Sequence, residues 1–112
     1  MGCPFVYDDE LDTIELGEEW VKIKKRMSYG DYQKLLSSYT KGGAMNIEEG
    51  NIALLLINIK EWSFKDRDGK PAPVSRENIL RLVPDIAQKI LDEIGRRNPL
   101  LGETSTKKSG RS

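Results

Sequence analysis

Apolar residues fall in short stretches separated by turn signals, and the most apolar stretch lies at the middle of the chain. Within Ile47 to Trp62, IEEGNIALLLINIKEW, every residue from Ile52 to Ile59 is apolar except Asn58. A run this short fits either a buried strand or a buried helix, so its flanks must arbitrate. Glu48 and Glu49 precede it and Lys60 follows it, the polarity that a helix dipole favours. Asn46 is placed to cap the first turn. Ile52, Leu55, Leu56 and Ile59 make one face, and Ala53, Leu54 and Ile57 make most of the other. The pattern therefore predicts a central helix over 47–62, packed on more than one side, with Leu55, Ile59 and Trp62 as structural residues. Burying each Leu or Ile contributes roughly 1.5–3 kcal/mol. Gly50 opposes the first turn, because an interior glycine costs about 1 kcal/mol, so only 51–62 reads as uninterrupted helix. A membrane span needs about 20 apolar residues, and the run is too short for one.

The segments before this run follow a different period. Asp12–Leu16 and Glu19–Lys25 flank Gly17-Glu18, with Val21 and Ile23 on one side and Trp20, Lys22 and Lys24 on the other. That alternation predicts a β-hairpin over 12–25, with Trp20 as a structural residue. A lone hairpin is marginal, so it should lie against helices. The basic cluster Lys24-Lys25-Arg26 that closes it reads either as a solvated strand edge, which discourages edge pairing, or as a contact for an acidic partner. Ser28-Tyr29-Gly30-Asp31 has the form of a capping box with Asp in place of Glu. It opens a helix over about 28–40 whose face is Tyr32, Leu35, Leu36 and Tyr39, and Gly42 suits the left-handed conformation that follows a helix.

Beyond the central run, Asp68-Gly69 is a turn signal, and Pro71 and Pro73 hold an extended approach. Ser75 caps a further helix, with Val74 and Ile79 at the positions of a hydrophobic staple. Ile79, Leu82, Val83, Ile86, Ile90 and Ile94 trace an apolar stripe. Pro84 interrupts it; in mid-helix this would cost about 3 kcal/mol, whereas the first position of a new helix tolerates it. The stripe therefore divides into helices at 75–82 and 84–95. Gly95 is read as the stop, with Arg96-Arg97 at the negative end. From Asn98 the composition turns to Gly, Ser, Thr and Lys, so 98–112 is expected to be a disordered polar tail. Residues 1–10 read as an irregular arm. The expected fold is a mainly α (α+β) single domain over 11–97, a small N-terminal hairpin followed by a bundle of three to four helices.

Composition narrows the chemistry. The 112 residues are 38% hydrophobic, enough for one modest core. Lys plus Arg equals Asp plus Glu at 18 each, so no net charge draws the chain to nucleic acid or an anionic membrane. The absence of histidine removes the commonest general base and transition-metal ligand. The single Cys3 forms no internal disulfide and reads as a free thiol on a loose terminus, which fits a cytosolic setting. Val6 stands where myristoylation prefers Ser or Thr. Asp66-Arg67-Asp68-Gly69 is like the start of a calcium loop, but the third acidic position and the closing glutamate are missing, which leaves a β-turn. No phosphate loop, cysteine pair or serine nucleophile elbow is present. These observations lead to the expectation of a non-catalytic protein without metal or cofactor.

Three phrases then carry a family likeness. They are Glu18-Glu19-Trp20-Val21-Lys22-Ile23 with Ser28-Tyr29-Gly30-Asp31; Trp62-Ser63-Phe64 leading through Asp68-Gly69-Lys70-Pro71 to Val74-Ser75; and Ile79-Leu80-Arg81-Leu82-Val83-Pro84 before a final apolar helix. In order and spacing, over about residues 17–95, they resemble the small tail assembly chaperones of long-tailed bacteriophages. The resemblance implies a protein of the bacterial host cytoplasm that binds the tape-measure protein, helps recruit tail-tube subunits and is absent from the finished virion. It also implies a longer frameshifted form, for which the polar tail would be a linker, with Lys107-Lys108 on a slippery codon pair. A client-binding or self-associating face would fall on the helices at 28–39 and 84–95, at Leu35, Leu36, Ile90 and Ile94, unless those side chains are all core. Two other classes fit the composition. One is a structural or connector protein of the phage particle. The other is a helix-turn-helix regulator over Ser75–Gly95, whose recognition helix would carry Asp85, Asp92 and Glu93 against phosphate.

Overall fold

The first two strands form where the alternation places them. In the computed structural model, which describes residues 4–101, β1 (Leu11–Leu16) and β2 (Glu19–Lys24) pair antiparallel from Leu11 with Lys24 to Leu16 with Glu19. Gly17 has a φ of +67°, and positive φ at the first of two turn residues is the type II′ arrangement that matches strand twist.

A third strand replaces the last turn of the expected central helix. α2 (Ile47–Asn58) stops at Asn58, and β3 (Ile59–Trp62) follows with no intervening loop. β3 pairs antiparallel with β2, Val21 opposite Trp62 and Ile23 opposite Ile59, giving one sheet of order β1-β2-β3. The helix predicted over 47–62 is thus corrected at its C-terminal end. The Asn58 side chain donates to the Leu54 carbonyl at 2.9 Å, competing with backbone continuation as such residues do. Ile59 and Trp62 then turn inward and are buried, while Lys60 and Glu61 face out. β2 is the central strand of the sheet and has no open edge for Lys24-Lys25-Arg26 to guard.

At the other end of α2, Asn46 caps the helix by accepting the Glu49 N–H at 3.0 Å. Gly50 lies buried within it, where a Cβ would meet the Tyr39 ring at 2.1 Å. The glycine that argued against the first turn is therefore what lets α1 (Tyr29–Tyr39) pack against α2. Gly50→Ala is expected to destabilise the protein by about 1–3 kcal/mol through overpacking, even though helix propensity alone favours Ala by about 1 kcal/mol. In a Tyr39→Ala background the same substitution should become neutral or stabilising, which urea denaturation of the four proteins would show.

The remaining punctuation acts as the sequence indicates, with two exceptions. Ser28 caps α1 with the full reciprocal box to Asp31. Gly42 is left-handed, at φ +81°, in the 3-10 turn Lys41–Gly43. Gly69, at φ +80°, closes a tight loop in which the Asp66 carboxylate accepts the backbone N–H groups of Asp68 and Lys70. Trp62 Nε1 donates to the Ala72 carbonyl at 2.6 Å and so pins that loop to the core. Ser75 caps the short α3 (Arg76–Leu80), and Pro84 occupies the first turn of α4 (Pro84–Arg97).

The exceptions are Gly95 and Asn98. Gly95 does not stop α4, which runs to Arg97 and ends at Asn98, a residue whose α conformation the following Pro99 disfavours. Asn98 is buried, accepting the Met27 N–H at 2.9 Å and donating to the Ile94 carbonyl at 2.8 Å, and Leu101 is buried too. Residues 98–101 therefore belong to the folded domain. The remainder of the expected polar tail, from 102, and the Cys3 thiol lie outside the described residues.

The result is an α+β domain rather than a hairpin appended to a bundle. α2 is the hub, touching α1, α3, α4 and β3. The core joins Ile14, Val21 and Ile23 from the sheet to Leu35, Leu55, Ile79, Ile90 and Ile94 from the helices. Among the described residues no helix is long and apolar enough to cross a membrane.

Candidate functional site

The β2–β3 register shifts between Lys22 and Ile23, with Lys60 of β3 as the extra residue, and at the end of β2 both Ile23 and Lys24 are buried. Lys24 is only 3% exposed. Its Nζ lies 2.5 Å from Asp31 Oδ2 and 3.0 Å from Asp8 Oδ1. Asp31 is also the carboxylate of the α1 capping box, accepting the Ser28 N–H at 3.3 Å. One side chain thus starts α1 and neutralises a buried ammonium, which would be costly unpaired. Burial disfavours the Lys24 charge, but hydrogen bonds to Asp31 and Asp8 outweigh it and hold the ammonium above the usual lysine value. Asp8 is held below the ordinary carboxylate range by its hydrogen bond to Lys24 and that group's charge. Lys24 is thus not part of a solvated strand face.

A groove of roughly 410 Å3 opens over this pair. Ala53, Leu56 and Ile57 of α2 make its apolar wall, Lys34 and Ser38 of α1 the opposite side, and Lys60 and Asp8 stand at the rim. Lys34 and Lys60 are both solvent-exposed.

The residues expected to form an open face lie elsewhere. Leu35, Ile90 and Ile94 are fully buried in the core, whereas Leu36 is 43% exposed. The periodicity of α1 puts Leu36 and the exposed Tyr29, seven residues apart, on a flank away from the groove-lining Lys34 and Ser38. Of the structural candidates, Leu55, Ile59 and Trp62 are core. Trp20 is half-buried, with the Lys22 ammonium 5.4 Å from its ring centroid and its backbone N–H donating to Ser63 Oγ at 2.8 Å. The acidic Asp85 and Asp92 stand exposed on α4.

Sequence reasoning passed over the groove because Asp31 was legible only as a cap. The signal it did contain was the surplus apolar character of Leu56 and Ile57. The pairing of Asp8 with Lys24 depends on the fold.

A second charged cluster ties the sheet to the last helix. Asp12 accepts from Lys25 and from Arg97, each at 2.9 Å, and Arg97 also reaches Glu93 at 2.7 Å. Hydrogen bonds from Lys25 and Arg97 lower the Asp12 carboxyl, and those from Arg97 and Arg96 lower Glu93. Carboxyls depressed in the folded state contribute stability that is present above their unfolded values, near pH 4, and lost as pH falls through the folded ones. The melting temperature should therefore hold from pH 7 to about pH 5 and drop below about pH 4. Asp12→Asn should melt lower at pH 7 and show a shallower acid slope in circular dichroism.

Among the described residues no group of three or more His, Cys, Asp or Glu is placed to hold a metal ion. Compared with protein-family models, with curated proteins and with solved structures, the chain matches none.

Proposed function

We propose that the protein is a non-catalytic tail assembly chaperone of a long-tailed bacteriophage, which binds helical segments of the tape-measure protein and promotes assembly of tube subunits around it. The observation that carries this reading is the groove between α1 and α2, with Ala53, Leu56 and Ile57 on one side, exposed Lys34 on the other and exposed Lys60 at its rim. A wall of small and medium apolar side chains beside charged groups is what a helix-in-groove complex requires, the apolar positions taking the client's i, i+3 and i+4 side chains and the charges fixing its direction. The ordered phrases around Trp20, Trp62 and Pro84 support the same reading by their likeness to that family. In this role the protein acts in the host cytoplasm and leaves before the particle is complete.

The test is a tagged pull-down from cells producing the whole tail gene set, read by mass spectrometry beside a Leu56→Glu variant whose circular dichroism is unchanged. Recovery of a very long helical protein by the parent chain and its loss from Leu56→Glu is the expected result. An extended form of this chain in the same eluate would support the frameshifted product. Recovery of tube or connector subunits alone, with the chain also present in purified particles, would establish a structural role instead.

A further inference from the structure

We propose that the buried Lys24 ammonium is the receptor for a carboxylate on the bound partner, and that the chain's own Asp8 occupies this place until the partner arrives. The inference rests on the groove being the client site, and it specifies the client's chemistry: an amphipathic helix carrying a Glu or Asp beside its apolar anchors.

The two carboxylates on Lys24 are not equivalent. Asp31 is buried and belongs to the α1 capping box, so it is built into the fold. The Asp8 side chain is 74% exposed and reaches Lys24 from an arm that precedes β1 and whose described residues, 4–10, carry no helix or strand. Close to it the arm is held by a local turn, from the Glu10 N–H to the Tyr7 carbonyl, and by the Lys25 N–H bonded to the Glu10 carbonyl. The Asp8 contact is therefore the one that can be exchanged without unmaking an element.

Charge points the same way. Lys24, Lys34 and Lys60 face Asp8 and Asp31 around the groove. With Asp8 withdrawn, three ammonium groups face one carboxylate, and the vacated place lies beside the apolar wall of Ala53, Leu56 and Ile57. A carboxylate there would form a charge-assisted hydrogen bond with a largely dehydrated ammonium, stronger than the same pair in open water. The neighbouring wall would take the leucines one turn away on the same helix face.

The experiment uses the full chain, its Asp8→Asn variant and two synthetic amphipathic helical peptides. The peptides are identical except for Glu or Gln at one position, with Leu three and four residues on. Affinities are measured by calorimetry at low and moderate salt. The Glu peptide should bind Asp8→Asn about fivefold more tightly than it binds the parent, because the internal competitor is gone. It should also bind Asp8→Asn about tenfold more tightly than the Gln peptide does, and Lys34→Glu with Lys60→Glu should weaken it further. Equal binding of the two peptides, no binding of either to Asp8→Asn, or no gain from removing Asp8 would overturn the assignment. The two proposals fail separately. Client capture sensitive to Leu56→Glu but without Glu selectivity removes the carboxylate receptor and leaves the chaperone. Glu-selective peptide binding with no long client in the pull-down does the reverse.

Discussion

Ile90→Glu and Ile94→Glu should fail to fold, whereas Leu36→Glu should fold with a stability change within about 0.5 kcal/mol. Ile90 and Ile94 are fully buried among the core side chains, and Leu36 is 43% exposed on an outer flank of α1. A carboxylate forced into either core position would have no designed partner, and burying an unpaired charge costs far more than the lost apolar contact. With a total stability of about 5–15 kcal/mol for a domain of this kind, one such change removes most or all of it. Circular dichroism and one-dimensional proton spectra of the three variants would decide the matter. A folded Ile90→Glu protein would mean that α4 stands off the core and that its apolar stripe is a surface.

Asp31→Ala has the next largest expected effect, a loss of about 3–5 kcal/mol from breaking a buried ion pair together with the smaller loss of the reciprocal capping-box bond to the Ser28 N–H. Two roles meet in this carboxylate, so the substitution removes the reciprocal capping-box bond to the Ser28 N–H and strips Lys24 of its buried partner at once. The more exposed Asp8 remains on Lys24, which places the expectation toward the lower end of the pair's range. Asp31→Asn keeps a side-chain oxygen that can accept the Ser28 N–H and should recover about 1 kcal/mol relative to Ala. Lys24→Met in the Asp31→Ala background should recover more, since the uncompensated charge is then gone. Urea titrations at pH 7 of the single and double variants give the coupling directly.

What the sequence made legible was chiefly its local chemistry. The hairpin around Gly17, the box from Ser28 to Asp31, the caps Asn46 and Ser75, and the division at Pro84 all depend on neighbours within one turn. What escaped depends on residues far apart in the chain. Ile59 to Trp62 continue an apolar helical pattern, and only pairing with the side of β2 that β1 leaves free, where Trp20 bonds Ser63 across 43 residues, makes a strand of them. Gly50 looked like a helix breaker because the approach of the Tyr39 ring is a tertiary fact. Asn98 begins a stretch of tail-like composition, yet its amide joins Met27 to Ile94 and holds the chain end in place. The groove was hidden for the same reason, since Lys24 looked like one member of a surface charge cluster until Asp31 and Asp8 came to it from either side.

The direct passage from α2 into β3 has a mechanical consequence. A helix that becomes a strand without a loop cannot turn about its own axis unless the pleat of the strand turns with it, and β3 is held in register by β2. The α2 wall of the groove is in effect a bracket fastened to the sheet. Any widening of the groove would have to come from the α1 side, whose C-terminal end is joined to α2 through the left-handed pair Gly42 and Gly43. In the proposed role, a client would therefore meet a fixed α2 wall and an α1 side whose position is set by the Ser28–Asp31 box at one end and by Tyr39 against Gly50 at the other.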